Sequence, residues 1–333
     1  MTIKSSGSSL SFSEIEAEFG QNGGRSLGAY RLTQSVGSLS NLPLDTGIPT
    51  SGQIKFSDFY AKQLNVVVDC HSGSREDRKS AKNDKWNNNA VTVIGGFRSK
   101  KESGSRILIN VNKKFCSDKS NVQNVALRTG SWDSSATVQV DIGSSASILG
   151  AGGDGGKGAD GINNNGDPGS PGTSGLGIDH NNVTVNIASG AVLRAGFGGG
   201  GGGGGGRQTD KRRDRRAGGG GGGGGMGCPA GLGGNGGSPG GGFGSGPGSP
   251  GGAGTETSGG GGGGGGSNDG QAGGGPGGSG GQASGSAGSG QSRQTSGGSG
   301  GGDGAAIRRI SGYSVTINNN GTIQGDTNAT GVG

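Results

Sequence analysis

Three uninterrupted glycine runs, at residues 198–206, 218–225 and 259–266, constrain what this chain can fold into more than any other feature. They are nine, eight and eight residues long. Glycine has no side chain to bury and loses more conformational freedom on folding than any other residue. A hydrophobic core therefore cannot hold such runs. Either they are disordered linker, or their own backbone holds them. Glycine supplies 90 of the 333 residues, while apolar residues make up 26% and aromatics 4%. Without a strict Gly-X-Y period, that composition is the ordinary mark of low complexity. A collagen triple helix is excluded, because there are only nine prolines and the glycines are contiguous.

The matched lengths favour order, since a packed layer needs equal rods and a disordered linker does not. In the polyproline II conformation the rise is about 3.1 Å per residue, so each run would span roughly 25–28 Å. That helix makes no internal hydrogen bonds and turns its N–H and C=O groups outward. Without Cβ atoms, neighbouring rods can approach and bond backbone to backbone, with Cα–H···O contacts adding a little. Further glycine-rich segments around 150–161, 231–242, 270–281 and 297–304 bring the candidate rods to seven or more. Polar patches at 162–168, 207–217, 226–230, 255–258, 267–269 and 282–296 are expected at the rod ends, where a rigid bundle presents loops for recognition. A Cβ inside such a bundle separates backbones, so Gly262→Val is expected to be severe.

Residues 64–146 have a different composition. Asn65-Val66-Val67-Val68-Asp69, Ala90-Val91-Thr92-Val93-Ile94, Arg106-Ile107-Leu108-Ile109-Asn110-Val111 and Thr137-Val138-Gln139-Val140-Asp141-Ile142 are short, β-branched and separated by polar turns. They predict a small β-sandwich. Trp86, Phe97, Phe115, Leu127 and Trp132 are its candidate large core residues. An internal repeat links this region to the glycines. Val138-Gln139-Val140-Asp141-Ile142 leads to Ala146-Ser147-Ile148-Leu149-Gly150, Val183-Thr184-Val185-Asn186-Ile187 to Ala191-Val192-Leu193-Arg194-Ala195, and Val315-Thr316-Ile317-Asn318-Asn319 to Gly321-Thr322-Ile323-Gln324-Gly325. Each unit reads as strand, tight turn, strand, and the three together as a β cap anchoring the glycine region.

Residues 1–63 contain a near-repeat. Leu10-Ser11-Phe12-Ser13-Glu14-Ile15 is matched by Ile54-Lys55-Phe56-Ser57-Asp58-Phe59. Ser13 with Glu16 has capping-box spacing, and Ser57 can cap a second helical turn. Neither copy is large enough to fold alone, so the two are expected to dock on each other or on a partner. The expected fold is mostly β plus polyglycine II. It comprises an attachment module at 1–63, a β-sandwich at 64–146, and a glycine-rich bundle with a β cap at 147–333.

The glycine runs with interposed polar loops resemble the distal adhesins of tailed-bacteriophage tail fibres, whose C-terminal part is a polyglycine II sandwich. Ser147-Ile148-Leu149-Gly150-Ala151-Gly152-Gly153-Asp154-Gly155-Gly156 and Asn320-Gly321-Thr322-Ile323-Gln324-Gly325 resemble glycine-rich modules of phage receptor-binding and tail-tip proteins. Ser11-Phe12-Ser13-Glu14-Ile15 and Ser51-Gly52-Gln53-Ile54-Lys55-Phe56-Ser57-Asp58-Phe59-Tyr60 resemble a short module of tail and baseplate proteins. The resemblance implies a tail-tip protein of the virion, made in the host cytoplasm. Loops at one end of its bundle would bind a bacterial surface receptor, lipopolysaccharide or an outer-membrane protein. Residues 1–63 would attach it to other tail-fibre or baseplate proteins. Adhesins of this kind often carry aromatic residues in those loops, whereas this chain has only Phe197, Phe243 and Tyr313 after residue 147. A purely structural tail component, with the bundle as a rigid spacer, stays open. An ice-binding or matrix protein would need regular Thr or Ala spacing, which the patches lack.

The densest charge lies in Arg207-Gln208-Thr209-Asp210-Lys211-Arg212-Arg213-Asp214-Arg215-Arg216. Arg207, Lys211, Arg212, Arg213, Arg215 and Arg216 form the candidate receptor-binding loop, suited to phosphates or acidic sugars. A solvated loop that keeps the bundle soluble is the alternative. Nucleic-acid binding is not expected, because no Arg-Gly-Gly triplet occurs, and the mixed-sign run from Arg75 to Lys85 reads as a solvated loop. Catalysis, cofactors and metals are not expected either. Adjacent Cys70 and His71 point to opposite faces of a strand, and the remaining histidine, His180, has no clustered ligands. Three cysteines, Cys70, Cys116 and Cys228, are an odd number set far apart, which predicts reduced thiols. No secretory signal and no membrane-spanning stretch is read from the sequence.

Overall fold

The computed structural model describes residues 3–20, 26–36, 39–70, 75–77, 79–80, 87–90, 104–119, 123–210, 213–240, 246–268, 272–273, 284–286 and 293–332. Among them there is one α-helix, and the regular structure is otherwise β apart from two short 3-10 turns. The strands follow from simple alternation. In Arg106–Val111, Ile107, Ile109 and Val111 are buried while the residues between them are half-buried. Thr137–Ile142 and Val183–Ile187 repeat the pattern. Alternate side chains point to opposite faces of a strand, so each strand buries one apolar row.

These rows stack. Asn65–Cys70, Arg106–Val111, Thr137–Ile142, Val183–Ile187 and Val315–Asn319 lie parallel and in register, placing Val68, Ile109, Val140, Val185 and Ile317 as successive neighbours. A second parallel sheet aligns Phe115, Ile148, Leu193 and Ile323. A third aligns Leu127, Leu176 and Ile307. Each turn of the chain visits the three sheets in order. The result is a three-sided parallel solenoid of five rungs, with one antiparallel strand, Asn87–Ala90, added at the edge of the first sheet. On the outside of that sheet a polar row runs alongside. Asn110 Nδ2 donates to Asp69 Oδ1 at 2.5 Å, Asn186 Nδ2 to Asp141 Oδ1 at 2.6 Å, and Asn318 Nδ2 to Asn186 Oδ1 at 2.8 Å.

The β-sandwich expected over 64–146 does not form. Three of its four strands are side by side in one parallel sheet, and that sheet continues past residue 146 to Asn319. Of the fourth, only Ala90 lies among the described residues. Alternation specifies one buried face but not the partner strand. The repeat does specify the partner, and its three units pair like with like. Their corners also match: Ala146 N–H donates to the Gly143 carbonyl, and Ala191 N–H to that of Ala188. Phe115, Leu127 and Trp132 are core residues, whereas Trp86 and Phe97 lie outside the described residues.

Residues 3–64 pack onto the first rung. Helix α1, Phe12–Phe19, is capped by Ser11 with Glu14, two residues earlier than the spacing predicted. In the second copy Asp58 accepts from the Lys55 N–H at 2.7 Å, and Ser57 is inside the turn. The two copies dock on each other, with Phe12 edge-on to Phe56 at 4.9 Å. Phe19, Tyr30 and Phe59 join the core that continues through the solenoid. Buried Glu18 accepts from the Leu64 N–H at 2.9 Å, and buried Asp45 pairs with Arg106 at 3.0 Å.

The glycine segments are two excursions from one corner of the solenoid. The first joins Ser147–Leu149 to Ser174–Ile178, and the second joins Val192–Arg194 to Ile307–Arg309. Their backbone bonds recur every third residue. The N–H groups of Gly153, Gly156 and Ala159 donate to the carbonyls of Phe197, Gly200 and Gly203, and those of Gly219, Gly222 and Gly225 to Ala159, Gly156 and Gly153. Run 218–225 is bonded in this manner to segments 153–159, 200–203, 231–237, 246–252 and 260–266. No glycine of the three pure runs has positive φ. Gly161 and Gly240, at φ 58° and 73°, do, and they sit where segments turn. Interior glycines leave no room for a side chain: a Cβ on Gly221 would lie 1.9 Å from the Gly234 oxygen. Gly262 is exposed on the outer side of its segment, and the crowded positions there are Gly260, Gly263 and Gly266. The severe site is thus one residue from the one expected.

The polar patches divide between two ends. Patches 226–230 and 255–258 face the solenoid. Lys114 pairs with Glu256 at 2.8 Å, Arg194 donates to the Glu256 carbonyl, and Cys228 forms a disulfide with Cys116, with Cα atoms 5.2 Å apart. The prediction of three reduced thiols is therefore wrong for two of them. Their separation of 112 residues hid a loop that returns to the second sheet beside Leu149. Cys70 is buried and takes no part in a disulfide.

Candidate functional site at the far end of the glycine bundle

The other patches gather at the far end. Gly206–Asp210 and Arg213–Ala217 form an antiparallel hairpin that extends two glycine runs, and Arg293–Gln294 adds a third strand. Segment 162–167 lies beside it, with Gly166 N–H donating to the Ser296 carbonyl and Ser296 N–H to Asn165 Oδ1. Lys157 holds Asp160 at 2.6 Å, and Asp160 also accepts from the Ser238 N–H at 2.7 Å. These two bonds, that from Lys157 first, keep its carboxyl below the usual range.

Register decides which cations share a face. Arg207 is directly opposite Arg216 on one side and Arg293 on the other. Directly opposed residues on neighbouring strands project their side chains to the same face. Three arginines therefore stand abreast. Asp214, on the same face, takes two bonds from Arg207 at 2.8 and 3.1 Å and one from Arg216 at 3.1 Å. Those bonds, Arg207's first, hold its carboxyl below the usual carboxylate range. Arg216 also donates to the Gly240 carbonyl at 3.2 Å. Arg293 is exposed and has no carboxylate partner among the described residues. Among the described residues, three guanidinium groups against one carboxylate leave a surplus of two positive charges on this face. Planar, multiply donating groups held at strand spacing match a polyanion's oxygens.

The sequence-predicted cations fare unequally. Arg207 and Arg216 are on the outer face. Arg215, opposite Gln208, points the other way and is only 9% exposed. Arg213 pairs through its backbone with Asp210, while Lys211 and Arg212 lie outside the described residues. Arg293 was missed by sequence reasoning. It is a single cation in patch 282–296, and its only sequence signal is membership of a patch predicted to lie at a rod end. No described helix is long and apolar enough to cross a membrane.

No family model and no curated protein matches this chain. Among solved structures, the gp37-gp38 adhesin tip complex of the bacteriophage S16 long tail fibre is similar at 18% identity. The match covers 96% of this chain and 98% of that one, with a TM-score of 0.34.

Proposed function

We propose that this chain is a non-enzymatic receptor-binding tip protein of a phage tail, resident in the virion, in which a polyglycine II bundle presents a recognition surface. The observation that carries the reading is the row of Arg216, Arg207 and Arg293 at the far end of that bundle. The three-residue bonding period and the absence of positive φ in the pure runs support polyglycine II. That lattice is a rigid mount: each backbone is tied to several others, so the strands it feeds are held in place. The resemblance of its glycine runs and of its segments 11–15 and 51–60 to phage tail proteins supports the setting. In this reading the receptor is an anionic polymer of the bacterial surface, such as phosphorylated lipopolysaccharide, and residues 1–63 attach the protein to the fibre or baseplate.

The test is competition. Purified protein should adsorb to cells that the corresponding phage infects and reduce virion adsorption. Replacing Arg207, Arg216 and Arg293 together with Ser should abolish adsorption while thermal unfolding stays within a few degrees. Native protein that neither adsorbs nor competes would refute the reading and favour a structural spacer.

A further inference from the structure

A second site lies on the solenoid itself, at the corner where the third sheet feeds back into the first. Three successive rungs contribute to it: Ser131, Trp132, residues 134–137, residues 179–182 and Tyr313 line a cavity of about 550 Å³. That volume is typical of small-ligand sites. We infer that this cavity binds a neutral saccharide unit, with Trp132, His180, Asn182 and Tyr313 as its principal contacts.

The charge balance comes first. Asp179 is the one carboxylate in the lining, and it is only 5% exposed. Its oxygens are occupied by Arg128, at 2.6 and 3.0 Å, and by the Gly130 N–H at 3.1 Å. It offers no free negative charge to a cation, and no Lys or Arg lines the cavity to draw an anion. Trp132 and Ala136 are the indole and aliphatic members of the lining. Trp132 is 5% exposed, and its indole N–H is already bound to the Thr129 carbonyl at 2.9 Å. What remains open is a narrow strip of the ring, an apolar contact for C–H groups of a sugar.

Polar groups of both kinds line the cavity. His180 is buried, and its Nε2 lies 3.1 Å from the Ala136 carbonyl. A carbonyl only accepts, so Nε2 carries the proton and Nδ1 of the neutral ring is an acceptor. Nδ1 has no partner among the described residues, nor do the Tyr313 and Ser134 hydroxyls. Asn181 and Asn182 commit their side-chain oxygens to Ser314, which leaves the Asn182 amide nitrogen as a donor. Asn182 itself sits at φ 56°, an uncommon conformation for a residue other than glycine that fixes the rim of the cavity. One fixed acceptor, one donor and two hydroxyls beside the edge of Trp132 match the alternating donors and acceptors of a sugar. Nothing in this set rewards a charge, which separates it from the arginine row.

The experiment is saturation-transfer NMR on the full chain with a panel of neutral hexoses, deoxyhexoses, N-acetylhexosamines and their disaccharides. At least one member should show transfer, undiminished in high salt and in Arg207→Ser. Tyr313→Phe removes one half-buried oxygen and should weaken binding about tenfold, the upper range for one hydrogen bond. His180→Phe should abolish it. If His180→Phe lowers the unfolding temperature markedly, Tyr313→Phe decides alone. The inference falls if no panel member binds, if binding survives Tyr313→Phe unchanged, or if binding disappears in Arg207→Ser. Because the arginine row is tested by cell adsorption, either site can fail while the other stands.

Discussion

Gly263 and Gly264 are adjacent, identical in composition and opposite in what a methyl group would meet. A Cβ on Gly263 would lie 2.1 Å from the Ser249 oxygen and 2.5 Å from the Pro250 oxygen. Contact between non-bonded atoms is optimal near 3.5 Å, so the overlap is about 1.4 Å. Every atom met is backbone and cannot rotate away. Relief requires segment 260–266 to lift from segment 246–252, which breaks the bonds that the Ser249 and Gly252 N–H groups donate to the Gly264 and Gly261 carbonyls, both now 2.8 Å. At roughly 0.5–1.5 kcal/mol each, these are worth about 1–3 kcal/mol before any penalty for buried groups left unpaired. Gly264 is exposed, a Cβ there meets nothing within 4 Å, and its φ is outside the left-handed region. Alanine at that position restricts the unfolded chain and should stabilise by about 0.4–1 kcal/mol. Differential scanning calorimetry should therefore show Gly263→Ala unfolding about 2 °C or more below the parent. Gly264→Ala should be level with it or slightly above. Equal shifts for the two variants would refute a bonded lattice of glycine segments.

Three more outcomes are expected. Replacing Cys116 and Cys228 with Ser, or reducing the pair, opens a loop of 112 residues and should cost about 3–5 kcal/mol by urea titration. Ile148→Ala, at a fully buried position between Phe115 and Leu193, should cost about 2–5 kcal/mol with the secondary structure retained by circular dichroism. The Glu14 carboxyl is held down at about 2, first by its bond from Lys4 and then by those from Ser11. A depressed folded-state pKa gives stability above the unfolded value and loses it as pH falls, so α1 should loosen between about pH 4.5 and 2, visible as faster amide exchange in 12–19. The Glu14→Gln variant should show no such window.

Much of this architecture was legible in the sequence, for identifiable reasons. The three related units read as strand, turn, strand, and the structure lays Val183–Ile187 in register on its counterparts at 138–142 and 315–319, so the repeat carries the register. Equal glycine runs gave the bundle, because only a lattice of backbones rewards equal lengths. The solenoid was missed over 64–146 because its earlier rungs carry different residues at the same places: Leu108-Ile109-Asn110-Val111 lies on Gln139-Val140-Asp141-Ile142. The division of loops between two ends was also hidden. Nothing local marks 226–230 as facing inward, since what turns it is Cys116 on a distant strand. The same holds at the arginine row, where the partner of Arg207 comes from residue 293 and only tertiary pairing joins them.

The second excursion leaves the solenoid after Arg194 and re-enters at Ile307. The fourth rung thus has its first two sides from one stretch of chain and its third from another, far along. Two ends so distant must meet before that rung closes, and the entropy of closure favours the meeting only once the intervening chain is compact. Assembly order follows: the first rungs zip locally, the glycine segments condense, and the last two rungs close behind them. Non-local pairing of this kind is slow. A chain whose second excursion is replaced by a non-glycine linker of the same length should keep its early rungs and lose the late ones, so the integrity of Val315–Asn319 would report whether the glycines have assembled.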